Sequence, residues 1–305
     1  MNILEISDLQ MSFGTNHVLR GLNMEVPEHA IFGFVGRNGV GKTTTMKIVL
    51  GLLKAQGGSV TVCGETVSYG ATRTNRHIGY LPDVPEFYGY MRPREYLKLC
   101  GEITGLAPAK IKSRSEELLE LVGLEGVNRR IGGFSRGMKQ RLGIAQALLN
   151  EPRLLICDEP TSALDPIGRR QVLDILSAIK GRTTVVFSTH ILSDVERICD
   201  HIAVLEQGQL ALSGTLAEIQ KQQRRNSFRI RFATEAEATA FTQLEELNRG
   251  GVELILDGKE LQISCEDGSI DGQKLVDLLS EHRLAPENFE AMEPTLEDLF
   301  TEVVT

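Results

Sequence analysis

Apolar and polar residues alternate with a period of two at the start of the chain, where "ILEISDLQMSF" and "HVLRGLNMEV" read as two strands of a β-hairpin around a Gly14 to Asn16 turn. After Pro27 the apolar run "AIFGFV" has the length of a buried strand, and it passes through glycines into the helical stretch "KTTTMKIVLGLL". From Pro93 to Asn150 the period lengthens to three and four, as in "REYLKLCGEITGL" and "SEELLELVGL", which predicts a helical insertion over about residues 85–150. Strand and helix then alternate through "RLLICD", a helix after Pro166, "TTVVFS" and "ILSDVERIC". The pattern closes with a hairpin, "HIAVLEQGQLALSG", around Gln207 and Gly208. Such an order predicts an α/β fold: an N-terminal antiparallel part, then a mostly parallel core sheet with helices on its faces.

The polar stretch "QKQQRRNS" buries nothing, so a boundary is expected there, with a first domain over 1–220, a linker over 221–227 and a second domain over 228–305. In the second domain "SFRIRFA" alternates, and "VELILDGKELQISC" is two alternating runs around Asp257-Gly258, a dipeptide that favours a type I′ turn. Flanking helical stretches make this a small α+β module.

Composition changes the picture little. The 305 residues are 41% hydrophobic and 24% charged, which is globular, and the net charge of -8 argues against a protein that binds nucleic acid through a broadly basic surface. No nucleic-acid partner is expected. No apolar run approaches the roughly 20 residues that cross a bilayer, and the start "MNILEISDLQ" has no export signal. The five cysteines are scattered and odd in number, so neither a disulfide framework nor a zinc site is suggested, and a reducing cytoplasm fits.

The chemistry begins at Gly36 to Thr43, which matches G-x-x-x-x-G-K-[ST] between a predicted strand and a predicted helix. There the backbone curls so that consecutive N–H groups point at phosphate oxygens, and the helix N-terminus adds partial positive charge. Candidate ligands are Gly36, Asn38, Gly39, Gly41, Lys42, Thr43 and Thr44: Lys42 to reach the β and γ phosphates, the Thr43 hydroxyl to hold Mg²⁺. "LLICDEP" ends an apolar strand in two carboxylates with different expected work. Asp158 would bind Mg²⁺, and Glu159 would orient or deprotonate an attacking water. His190 closes "VVFSTH" at another strand end, where an imidazole can contact the γ-phosphate and that water.

A second anion cradle, "GGFSRGMKQR" at Gly132 to Arg141, is one more than a single domain needs. With it, the chain from about residue 3 to 220 resembles the ATP-binding subunits of ABC transporters. "GRNGVGKTT" stands as Walker A, "FSRGM" as a variant of the LSGGQ signature, "LLICDEP" as Walker B, "SALD" as the D-loop and "STH" as the switch histidine, all in the family's order. The resemblance implies a P-loop ATPase of ABC type that binds ATP and Mg²⁺ and pairs head to tail with a second copy. The signature of each copy would then close over ATP held by the other. Ser135 would cap the helix after it and, with Gly137, meet the γ-phosphate; Ser162 to Asp165 would line the interface.

Three positions depart from the family's pattern. Arg136 replaces the first signature glycine, Asp83 stands where the family has the Q-loop glutamine and remains a candidate Mg²⁺ ligand, and Phe13 takes the place of the adenine-stacking aromatic. "VPEFYGYMRPREYL" lies where the family's helical subdomain receives the membrane subunit; Phe87, Tyr88 and Tyr90 are read either as that surface or as subdomain core. "FSRGM", "LPD" and "EPTLEDLF" together resemble the stand-alone ATPases of bacterial exporters for drugs, antibiotics or ions. Their membrane permease is a separate chain, which would hold this one at the inner face of the membrane. The competing classes are the DNA-repair and chromosome ATPases that share the signature, and a regulatory dimer that only switches with ATP.

Overall fold

The computed structural model describes residues 1–71, 73–222, 226–248, 252–265, 270–292 and Leu296. From the N-terminus, β1 (Asn2–Phe13) and β2 (Asn16–Pro27) form the expected hairpin around Gly14 and Thr15. Leu4 and Ile6 face inward and so do Leu9 and Met11, a change of parity made at Asp8, whose φ of 48° puts a bulge between the two pairs. Next come β3 (Ile31–Val35), α1 (Lys42–Val49), β4 (Gly57–Val62), β5 (Glu65–Thr66) and β6 (Ile78–Leu81). The periodicity did not predict the last three strands. They are short, and β4 and β5 find their place by pairing: β4 lies against β1, and β5 against β4.

The helical insertion contains α2 (Pro93–Ile103), α3 (Pro108–Leu121) and α4 (Arg136–Leu148). Then follow β7 (Leu154–Asp158), α5 (Pro166–Ala178), β8 (Thr184–Thr189), α6 (Leu192–Ile198), β9 (His201–Glu206) and β10 (Gln209–Thr215). One antiparallel sheet has the order β2-β1-β4-β5, and a six-stranded sheet has the order β10-β9-β3-β8-β7-β6. In the second, β3 pairs parallel with both β8 and β9, β8 with β7 and β7 with β6, while β10 returns antiparallel on β9. β3, β7 and β8 are buried at every residue, which is why they read as continuous apolar runs. The loops that leave β3, β7 and β8 therefore emerge at one end of the sheet, side by side.

The chain divides into two compact units, Met1–Leu216 and a second beginning at Ala217. The polar stretch expected as a linker over 221–227 is occupied from both ends. α7 (Leu216–Gln222), anchored by the buried Ile219, runs into it and β11 (Asn226–Arg231) starts inside it; 223–225 lie outside the described residues. α8 (Glu235–Thr242), β12 (Val252–Asp257), β13 (Glu260–Cys265), α9 (Gly272–Glu281) and β14 (Asn288–Met292) complete the second unit, whose antiparallel sheet has the order β12-β13-β11-β14. Phe228 and Ile230 of β11 and Phe232 just after it meet Leu261 and Ile263 of β13, Phe241 of α8 and Leu275 of α9 in one core. Asp257 pairs with Glu260, so the turn residues are Gly258 and Lys259, one later than the dipeptide suggested, and Gly258 supplies the positive φ of 58°. Of "EPTLEDLF", only Leu296 is among the described residues, and it is buried.

Candidate functional site

The loop from Gly36 to Gly41 joins β3 to α1 and is tightly packed at both of its end glycines. A Cβ on Gly36 would lie 2.7 Å from the Leu205 carbonyl oxygen, and one on Gly41, at φ 121°, would crowd Leu19 and Val18 of β2 at 3.0–3.2 Å. Gly39, at φ 83°, needs its missing side chain for conformation rather than for room. No side chain caps α1 and no acidic residue stands in its first turn, so its first amides are open to an anion. Lys42 is 6% exposed, and its Nζ donates to the carbonyls of Gly36 at 2.6 Å and Arg37 at 3.2 Å. A buried ammonium beside uncapped amides makes a polyanion site.

The carboxylates come from the neighbouring strand ends. Asp158, 4% exposed, accepts from Thr43 Oγ1 at 2.8 Å on one oxygen and from Ser188 Oγ at 2.7 Å on the other. Thr43 and Asp158 are 115 positions apart, and the parallel sheet sets them in hydrogen-bond contact. Glu159 carries φ 48°, a conformation that costs a non-glycine residue about 1 kcal/mol. Its N–H donates to Ser188 Oγ at 3.0 Å. The carboxylate is shared: Oε1 lies 3.2 Å from Lys42 Nζ and Oε2 lies 2.9 Å from His190 Nδ1. A cavity of about 320 Å³ is lined by Asn38, Gly39, Gly41, Lys42, Thr43, Thr44, Asp83, Asp158, Glu159, Ser162 and His190. Beside it, burial and the nearby Asp158 push the Tyr80 phenol up to about 12, so Tyr80 stays neutral.

The other sequence-selected residues sit apart from this cavity. Ser135 accepts from Met138 N at 3.3 Å and so caps α4, and its side chain is exposed. Arg136 takes the first helical position without a positive φ, and Gly137 also has no positive φ; a Cβ there would meet Gly168 and Leu164 at an ordinary 3.9–4.0 Å. Nothing among the described residues requires glycine at 137. Phe13 ends β1 at the hairpin tip, 51% exposed. Asp165 caps α5 through the Gly168 N–H at 3.1 Å, which gives that D-loop residue a structural task. Phe87 packs edge-on against the buried Tyr96 at 5.0 Å, while Tyr88 and Tyr90 are 55% and 69% exposed; the three aromatics therefore split between core and surface.

Sequence reasoning missed Ser188, which holds Asp158 and Glu159 together. Its signal was a pair of hydroxyl residues, Ser188 and Thr189, closing the apolar run of β8. It also missed the network in which buried Asp194 accepts from Thr161 Oγ1 at 2.6 Å and Arg169 Nε at 2.5 Å, tying the strand-end loop after β7 to α6. The pairing of Asp83 with Arg136 at 3.3 Å was not foreseen either.

A parallel sheet that delivers a glycine loop with a buried lysine, a threonine–aspartate pair and a glutamate–histidine pair to one cavity defines a P-loop nucleoside triphosphatase. Residues 19–162 match the ABC transporter family, and residues 214–304 match the C-terminal domain of DrrA1-3-like ATP-binding proteins. The ABC transporter ATP-binding protein YxlF of Bacillus subtilis is 42% identical over 227 residues, spanning 74% of this chain and 75% of its own. The bacitracin transport ATP-binding protein BcrA of Bacillus licheniformis is 39% identical over 226 residues, 73% of each chain. A solved ATP-binding subunit of an ABC transporter superposes with a TM-score of 0.65 at 33% identity, over 72% of this chain and 92% of that one. The chain belongs to the ABC transporter ATP-binding proteins, and its first unit is an ABC-type ATPase.

Proposed function

We propose that this chain is the ATPase of an exporter whose membrane permease is a separate polypeptide, and that two copies close head to tail over two ATP molecules. The observation that carries the reading is the division of phosphate-binding parts. Lys42 and Asp158 are buried, Thr43 bonds Asp158 and Lys42 pairs with Glu159, and all four line one cavity, whereas Ser135 and Gly137 stand outside it. The glycine at 137, unexplained by anything among the described residues, fits a surface that another molecule approaches closely. Among the described residues no helix is long and apolar enough to cross a membrane, so attachment at the inner face of the membrane would come through the permease.

The site suits nucleotide and Mg²⁺. Uncapped amides of α1 and Lys42 Nζ would hold the phosphates, and Phe13 offers an exposed ring face to the adenine. Thr43 Oγ1 and Asp158 supply hard oxygen donors for Mg²⁺, with Asp83 at the cavity rim as a further one. No group of three His, Cys, Asp or Glu gathers among the described residues, which accords with a cation that keeps its waters and takes phosphate oxygens as ligands. When bound, Mg²⁺ neutralises charge on the phosphate oxygens.

Glu159 is the group that orients water and takes its proton. In the present arrangement Lys42 and His190 occupy its two oxygens, so the carboxylate becomes free when Lys42 turns to phosphate. His190 then keeps Glu159 aimed, because their 2.9 Å contact does not depend on Lys42. The products are ADP and phosphate. A groove of about 440 Å³, whose lining includes Val84, Pro85, Phe87, Gly89 and Ile131, with exposed Tyr88 and Tyr90 nearby in sequence, is where the permease would dock.

Glu159→Gln tests the reading. Turnover should fall by about 10²- to 10⁴-fold while ATP is still bound, and light scattering should find an ATP-dependent dimer. Undiminished turnover would remove Glu159 from its role, and a variant monomeric at every ATP concentration would remove the composite site. Stimulation of the wild type by DNA in place of the permease would favour the DNA-repair class.

A further inference from the structure

The two positions that depart most from the family's pattern meet each other: Arg136 Nη2 lies 3.3 Å from Asp83 Oδ1. Asp83 follows β6 and lines the nucleotide cavity of its own chain, while Arg136 opens the helix that Ser135 caps. A salt bridge therefore connects the cavity to the signature helix within one subunit. It is a single contact rather than a two-pronged one, and its partners are 45% and 47% exposed, the setting in which ion pairs contribute least. The surroundings favour an anion. Arg129, Arg130, Arg136, Lys139 and Arg141 fall within residues 129–141 with no acidic residue among them, in a chain of net charge -8. Arg141 is committed to the carbonyls of Val122 and Gly123, and Arg129 lies over the Phe134 ring. Arg136 is held by Asp83 alone among the described contacts.

We propose that Arg136 is a phosphate ligand for the nucleotide of the partner copy, and that Asp83 holds it in reserve until that nucleotide arrives. This rests on the composite-site reading above. A guanidinium offers phosphate paired, charge-assisted hydrogen bonds, which a lone exposed carboxylate contact does not match. Binding exchanges one partner for the other. Asp83, once released, faces its own cavity, where a second carboxylate beside Asp158 suits a divalent cation. The exchange links the arrival of ATP at one site to the state of the other, and it replaces contacts that a glycine at 136 could make only through its backbone.

The test uses the full chain in the Glu159→Gln background, reading the ATP concentration at half-dimerisation by light scattering. Arg136→Gly should raise it about tenfold, the loss of one charge-assisted interaction. Arg136→Lys should raise it less. Asp83→Asn frees the arginine but also removes a cation donor, so it is read through Arg136: Arg136→Gly should raise the half-dimerisation concentration by a larger factor in the Asp83→Asn background than in the parent. Binding of a fluorescent ATP analogue to the dilute single subunit should be the same in Arg136→Gly as in the parent, which also verifies folding. A parent that dimerises with ATP while Arg136→Gly dimerises equally well overturns the role of Arg136 alone. An effect of Arg136→Gly that vanishes in the Asp83→Asn background would make the pair a support rather than a competitor, and overturns the exchange. A stalled parent that never dimerises removes the composite-site reading, and Arg136 with it.

Discussion

The two phosphate-handling loops of this chain differ in how finished they are. At the Walker A loop the lysine is 6% exposed and its aspartate neighbour 4%, and Thr43, Ser188, Asp158 and Glu159 beside them each have a partner in the same chain. At the signature, Ser135 and Arg136 are exposed, and the serine does no more for its own chain than cap α4. The difference follows from what surrounds each loop. The first leaves a central strand and is walled by β2, β7 and β8, while the second lies in a helical insertion with one side uncovered. A buried site holds its geometry without ligand; an open one waits for a surface to complete it.

The comparison can be broken at its strongest point first. Lys42→Ala should cut ATP affinity about 10- to 100-fold, since a charge-assisted phosphate contact is lost; isothermal titration with unchanged affinity would place the phosphates elsewhere. Ser188→Ala should cost about 1–3 kcal/mol of stability, because a fully buried hydroxyl that serves both Asp158 and Glu159 leaves unpaired groups behind. An unmoved unfolding midpoint in denaturant would show that the strand ends hold without it. Ser135→Ala should cost only about 1 kcal/mol as a lost cap, and the single subunit should bind ATP as before. If ATP affinity of the single subunit fell as far as in Lys42→Ala, the division into a finished and an open loop would be wrong.

Much of the fold was legible because its signals are contiguous. The hairpin, the buried runs of β3, β7 and β8, the helical insertion and the closing β9-β10 hairpin each announce themselves within about a dozen residues. β4, β5 and β6 did not, being two to six residues long and dependent on partners elsewhere in the chain. Asp257-Gly258 was a fair turn signal that the strand pairing moved by one residue, since the register of β12 on β13 is set by which side chains reach the core.

The site divides in the same way. What the sequence alone determined is the chemistry carried by short runs: a glycine loop ending in lysine and threonine, a carboxylate pair at an apolar strand end, a histidine one strand on, and a second glycine-rich cradle. What only the tertiary structure decided is who bonds to whom: Thr43 with Asp158, Ser188 between Asp158 and Glu159, His190 on Glu159, and Asp83 against Arg136. The physical reason is that a residue's reactivity is written in its own type and neighbours, whereas its partners are chosen by packing, which sets β3 beside strands more than 150 positions away.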